Sequence, residues 1–204
     1  MYWNYIPKRF LTADFQSFKA TTNAQQEALD YLKNADPLTQ NVILYGTCGT
    51  GKTHLCYAFL KSKANADYQA DDPFCPSKEC FFLSLKDLLS EIKESFSLTQ
   101  TGATNAPATA LPSKEESLYQ KAISAPILII DELGLQYGSK MERVELFRLF
   151  NERYNMMRPT VAVSNLSPKE LQKSLGQRIY ERLFSNAKVF FFNAPSYRNA
   201  YPIN

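Results

Sequence analysis

Eight consecutive residues set the strongest limit on what this chain can fold into. Gly46-Thr47-Cys48-Gly49-Thr50-Gly51-Lys52-Thr53 satisfies G-x-x-x-x-G-K-[ST] at every defined position, directly after the apolar segment Val42 to Tyr45 and before a helical stretch from His54 to Leu60. Strand, glycine-rich turn and helix in that order form a phosphate-binding loop. The glycines let successive backbone N–H groups face inward around a β-phosphate, at the positive end of the following helix, where Cβ atoms would obstruct the wrap. Lys52 supplies a point charge to the β- and γ-phosphates, and the Thr53 hydroxyl is placed to ligate Mg²⁺. ATP with Mg²⁺ is therefore the expected ligand. His54 reads as a helix-start residue bordering that ligand rather than as a catalyst.

Further segments of strand length follow at Phe81 to Leu83, Ile127 to Ile130, Thr160 to Val163 and Val189 to Phe192, alternating with helical patterns. With Val42 to Tyr45 they predict a five-stranded parallel sheet covered by helices, a three-layer α/β fold. Leu85, Leu88, Leu89, Ile92 and Phe96 make one apolar stripe at helical spacing, which belongs to a core. Ser139-Lys140-Met141-Glu142 and Ser167-Pro168-Lys169-Glu170 each place a Ser cap three residues before Glu, and each marks a helix start. From 97 to 113 the chain is rich in Thr, Ala and Pro without periodicity, so a mobile surface loop is expected.

At 204 residues, one such domain accounts for nearly the whole chain. A composition 45% hydrophobic and 21% charged excludes a disordered or fibrous protein, and the absence of any repeat argues against a solenoid. The longest apolar run, Ala125 to Ile130, is far short of the roughly 18 residues that cross a bilayer, so no membrane association is expected. The start, Met1-Tyr2-Trp3-Asn4-Tyr5, lacks a basic-then-apolar leader, so a cytoplasmic chain is expected. In that compartment Cys48, Cys56, Cys75 and Cys80 read as free thiols, and their spacing does not suit zinc.

The segment Ile127 to Ile130 ends in Asp131-Glu132, a buried strand delivering two carboxylates to the sheet edge where ligands bind in open α/β folds. Asp131 would hold Mg²⁺ through its water shell, and Glu132 would orient and polarise the water that attacks the γ-phosphate. Another strand ends in Ser164-Asn165. Asn165 is either a turn residue or a side-chain amide presented to the γ-phosphate, and the second reading is favoured beside Asp131. Net charge is only +3, but from residue 140 onward eleven Lys and Arg face five Glu and no Asp. Those charges form either solvated helix faces or a surface that meets phosphates.

Taken together the motifs resemble the AAA+ ATPases, and within them the DnaC, DnaI and IstB group of helicase loaders and transposition helpers. The resemblance spans nearly the whole chain through Ile6-Pro7-Lys8-Arg9-Phe10, the phosphate loop, the run Ile129 to Gln136, the run Leu175 to Leu183, and Pro195-Ser196-Tyr197-Arg198. Asp131-Glu132 is closer to DnaC than to IstB, which commonly has Asp-Asp. The resemblance implies an ATPase domain over 41–204, with 1–40 as a linker and first helix leading into it, and a reduced or absent lid domain. It assigns Asn165 to sensor 1, Arg182 to an arginine finger reaching a neighbouring subunit's γ-phosphate, and Arg198 to sensor 2, with Arg178 one turn before Arg182 on the same face. On the residues alone, Arg178 and Arg182 are equally two solvated helix arginines.

The same resemblance implies head-to-tail homo-oligomers, ATP hydrolysis to ADP and phosphate that is slow unless assembled, single-stranded DNA binding, and loading of a DnaB-type hexameric replicative helicase. Loaders of this group carry an N-terminal domain that grips the helicase, whereas this sequence reaches its phosphate loop by residue 46, so helicase engagement has the least sequence behind it. Two alternatives stay open: an IstB-like transposition helper, and a non-hydrolysing module that uses ATP as a conformational ligand when bound to DNA or protein.

Overall fold

All five segments expected as strands join one parallel sheet. They are β2 (Asn41–Gly46), β4 (Cys80–Ser84), β5 (Ile127–Asp131), β6 (Thr160–Ser164) and β7 (Ala187–Phe192), in the spatial order β4-β5-β6-β2-β7. The computed structural model describes residues 2–35, 37–69, 71–100, 117–134 and 139–197, with their side chains except at residues 2, 3 and 95–100.

Side-chain alternation sorts the strands into two cores. Val42, Leu44, Ile129, Val161 and Val163 face one layer, packed with α1 (Asn23–Asn34) and α2 (Lys52–Ser62). Ile43, Leu128, Ile130 and Ala162 face the other, packed with α3 (Leu85–Gln100), α4 (Leu118–Ser124), α5 (Lys140–Asn155), α6 (Pro168–Leu175) and α7 (Gln177–Phe184). Burial on both faces explains why these strands read as continuous apolar runs. The result is the expected three-layer AAA+ architecture.

Local signals mark the helix starts faithfully. Ser139 and Ser167 form complete capping boxes with Glu142 and Glu170, and Thr22 forms a third with Gln25 at the head of α1. In α3 the stripe residues Leu85, Leu88, Leu89 and Ile92 are buried, while the Phe96 side chain lies outside the described ones. That helix continues to Gln100, so 97–100 is helical where a loop was expected, because no Pro or Gly interrupts the turn after the stripe. Residues 101–113 of that stretch lie outside the described residues.

Two features were not anticipated. An antiparallel ribbon of β1 (Tyr2–Tyr5) and β3 (Phe74–Ser77) flanks β4, which is an edge strand. Asn4, 1% exposed, fastens it: Nδ2 donates to Cys75 O and Cys80 O, both at 3.1 Å, and Oδ1 accepts the Phe82 N–H at 2.7 Å. One side-chain amide thus satisfies main-chain groups that the edge would leave unpaired. Asn4→Leu is expected to destabilise the fold by about 2–4 kcal/mol, since several buried polar groups lose their partner at about 1–3 kcal/mol each. A urea midpoint unchanged from the parent would show that the ribbon is not held this way.

The second is Arg153, a fully buried guanidinium on α5 that bonds the carbonyls at the end of α4 and the approaches to β5 and β6. All four cysteines are free, with Cys48 exposed and the other three buried. Burial pushes the Cys75 thiol up to about 11 and the Cys80 thiol up to about 12. No described helix is long and apolar enough to cross a membrane.

Candidate nucleotide-binding site

The C-terminal ends of β2, β5 and β6 converge on a cleft of 410 Å³. Between β2 and α2 the loop Gly46 to Gly51 turns with Gly46, Gly49 and Gly51 at φ 130°, 80° and 91°. Those conformations suit glycine. A Cβ on Gly51 would also lie 2.8 Å from the Phe18 ring and 3.2 Å from the Tyr197 ring. Lys52 is 5% exposed, and its Nζ donates to Gly46 O at 2.8 Å and Thr47 O at 2.7 Å, which holds the ammonium across the mouth of the loop. Cys48, Gly49, Thr50 and Thr53 join it in lining the cleft.

Across the cleft the two carboxylates stand as their strand position requires. The Thr53 hydroxyl donates to Asp131 Oδ2 at 2.8 Å, joining α2 to the end of β5 over 78 residues of sequence. Burial raises the Asp131 pKa, opposed by the Thr53 hydroxyl and by the Glu132 N–H, which donates to Oδ1 at 2.8 Å. A half-buried carboxylate whose charge is penalised, paired with a hydroxyl, is a hard-oxygen donor set that suits Mg²⁺ shared with phosphate oxygens.

Glu132 is exposed at the cleft and takes φ 61°, an uncommon conformation for a non-glycine residue that turns the chain away from the sheet immediately after β5. Ser84, at the end of β4, donates to its Oε2 at 3.3 Å. The turn beyond is pinned to β6: Leu133 N–H donates to Val163 O at 2.8 Å and Ser164 Oγ to Leu133 O at 2.6 Å. Asn165, next in the chain, lines the cleft beside Asp131 and Glu132.

Of the further contributors, Gln25 carries no motif signal, while Tyr197, Arg9 and Phe10 lie in runs that carry the family resemblance without a site role of their own. Gln25, buried at the head of α1, donates from Nε2 to Thr50 O at 3.0 Å and so braces the phosphate loop from behind. Tyr197 braces it from the other side: its N–H donates to Gly49 O at 2.9 Å and its hydroxyl bonds Lys19 O. Phe18 and Lys19, together with Arg9 and Phe10 of the Ile6 to Phe10 run, form the far wall. His54 borders the cleft, with Nε2 3.1 Å from Ser17 Oγ, and burial lowers its pKa, opposed by Asp14.

Neither helix arginine lines this cleft. Arg182 on α7 lies against α5, its Nε donating to Asn151 Oδ1 at 2.9 Å and its guanidinium 4.8 Å from the Phe147 ring centroid. Arg178 is exposed. Arg198 lies outside the described residues.

The sheet order, the phosphate loop and the carboxylates facing it define a P-loop ATP-binding protein of the AAA+ class. The family model of IstB-like ATP binding proteins matches residues 6–201, and the chain belongs to that family. The replicative helicase loader DnaC of Escherichia coli (strain K12) is 28% identical over 178 residues, which is 87% of this chain and 64% of that protein. The chain thus spans less than two thirds of that relative's length. The crystal structure of the DnaC helicase loader matches with a TM-score of 0.67 at 21% identity, covering 92% of this chain and 100% of that chain. AMPPCP-bound DnaA from Aquifex aeolicus matches with a TM-score of 0.64 at 19% identity, over 91% of this chain and 52% of that one. These structural matches establish the fold.

Proposed function

We propose that the chain hydrolyses ATP and acts as a DnaC-like loader of a hexameric replicative helicase onto single-stranded DNA. The observation that carries the ATPase part is the contact between Thr53 and Asp131 with Glu132 next to it, which sets hard-oxygen ligands and a general base against the phosphate loop. In the proposed step, water adds to the γ-phosphorus while its bond to the β,γ-bridging oxygen breaks. Glu132 takes the water's proton, and ADP and phosphate leave. Thr53 and Asp131 would hold Mg²⁺, which when bound neutralises charge on the β- and γ-phosphates. Lys52 binds the phosphates, Asn165 contacts the γ-phosphate, and Arg198 completes the nucleotide site as sensor 2. Arg182 acts in trans, so head-to-tail assembly accelerates turnover.

Lys52→Ala is expected to weaken ATP binding by about 100-fold or more, since a charged hydrogen bond contributes about 1.5–3 kcal/mol and Lys52 reaches two phosphates. Titration with a fluorescent ATP analogue measures it, and normal affinity would remove the loop from the site. For the loader role, the deciding experiment is co-purification with a DnaB-type helicase in ATP, scored beside phosphate release with and without single-stranded DNA. The family's IstB-like description keeps a transposition helper as the second reading, and capture of a transposase in place of the helicase would select it.

A further inference from the structure

Two segments far apart in sequence meet at the nucleotide cleft. Residues 11–20 form no helix or strand and give the cleft wall Ser17, Phe18 and Lys19, while the chain leaving β7 reaches the cleft at Tyr197. One residue joins them. The Tyr197 N–H donates to Gly49 O at 2.9 Å and its hydroxyl donates to Lys19 O, so it spans from the phosphate loop to the wall beside it. Its ring lies against Gly51 together with that of Phe18, at 3.2 Å and 2.8 Å from a Cβ placed there.

The two surfaces that Tyr197 bridges are each held firmly without it. The wall is tied at three points. Lys61 Nζ donates to Leu11 O at 2.7 Å, Ser17 Oγ lies 3.1 Å from His54 Nε2, and Gln25 Oε1 accepts the Thr21 and Thr22 N–H groups at 2.8 Å and 3.1 Å. The loop is tied to fully buried Gln25 through Thr50 O at 3.0 Å. Tyr197 is held differently. It is half-buried, its partner Lys19 is exposed, and residues 193–196 before it form no helix or strand. A hydrogen bond that water can reach is exchanged for bonds to water at small net cost, so this contact opens while the loop and the wall stay in place.

We infer that Tyr197 is a latch on nucleotide exchange. With its hydroxyl on Lys19 O it closes the gap between phosphate loop and wall, and a nucleotide enters or leaves only when that bond opens. The inference rests on the ATP-site reading given above and adds a regulation of that site. A gate slows entry and exit together, whereas a residue that grips the nucleotide slows exit alone.

Tyr197→Phe keeps the ring and removes the bond to Lys19 O. With a fluorescent ADP analogue in stopped flow, association and dissociation are both expected to quicken by about threefold to tenfold, the worth of one hydrogen bond. Their ratio, the Kd, should shift by less than either. In the nucleotide-free chain, amide exchange at positions 196 and 197 should quicken by a similar factor, since the bond that holds the arm 193–197 is gone. Unchanged rate constants overturn the inference, and so does faster dissociation with unaltered association, which would make Tyr197 a nucleotide contact. Unchanged amide exchange overturns it as well. A wild-type chain that takes up no analogue would instead sink the ATP-site reading, and amide exchange in the nucleotide-free chain would still decide whether the hydroxyl holds the arm.

Discussion

Glu132→Gln is expected to leave ATP uptake within a few-fold of the parent and to cut phosphate release by about 10²–10⁴. The amide keeps the size of the side chain and can still accept the Ser84 hydroxyl, which bonds Oε2 at 3.3 Å, so the local structure persists. Its inability to take a proton from water is what changes. The strained φ of 61° holds Glu132 at the exit of β5 where it faces the phosphate loop. Phosphate release under single-turnover conditions, alongside nucleotide titration, separates binding from chemistry. Turnover retained with normal binding would remove Glu132 from the role of base.

The largest expected effect on stability comes from Arg153→Met. The guanidinium is 1% exposed and donates from Nε to Thr160 Oγ1 at 3.0 Å, from Nη1 to Ala122 O and Ala125 O at 2.8 Å each, and from Nη2 to Pro159 O at 2.6 Å. Carbonyls at the C-terminal end of α4 carry the negative end of that helix, so a cation there is favoured electrostatically as well as by hydrogen bonding. Methionine fills much of the space and satisfies none of those carbonyls. The expected loss is about 3–5 kcal/mol, a large share of the roughly 5–15 kcal/mol that holds a domain folded. Chemical denaturation monitored by circular dichroism reads it. Arg153→Lys, with three donors on one nitrogen, should recover only part, and a loss below about 1 kcal/mol for Met would contradict the account.

Much of the nucleotide site was legible before any coordinates because its parts are local. The phosphate loop is eight contiguous residues, and Asp131 and Glu132 exit a strand whose apolar run announces its direction. Ser139 and Ser167 announce their helices in the same way, each within four residues. Gln25 was legible only as an ordinary polar residue, and Tyr197 only as a member of the Pro195 to Arg198 run, since what they brace, Thr50 O and Gly49 O, lies far off in sequence. The helical extension to Gln100 went unread because Ser, Leu, Thr and Gln carry no breaker and no stripe.

By itself, the order of residues determined the sheet, the nucleotide as ligand class and the sheet edge that carries the cleft, since short apolar runs and a glycine-rich turn are properties of neighbouring residues. Only the folded chain decided that Asn4 closes the β4 edge, that Arg153 is interior, and that Arg182 is pinned while Arg178 is not. The physical reason is the same in each case. A polar side chain is buried, fixed or left in solvent according to which main-chain groups and rings other elements leave beside it, and that pairing is made across the core.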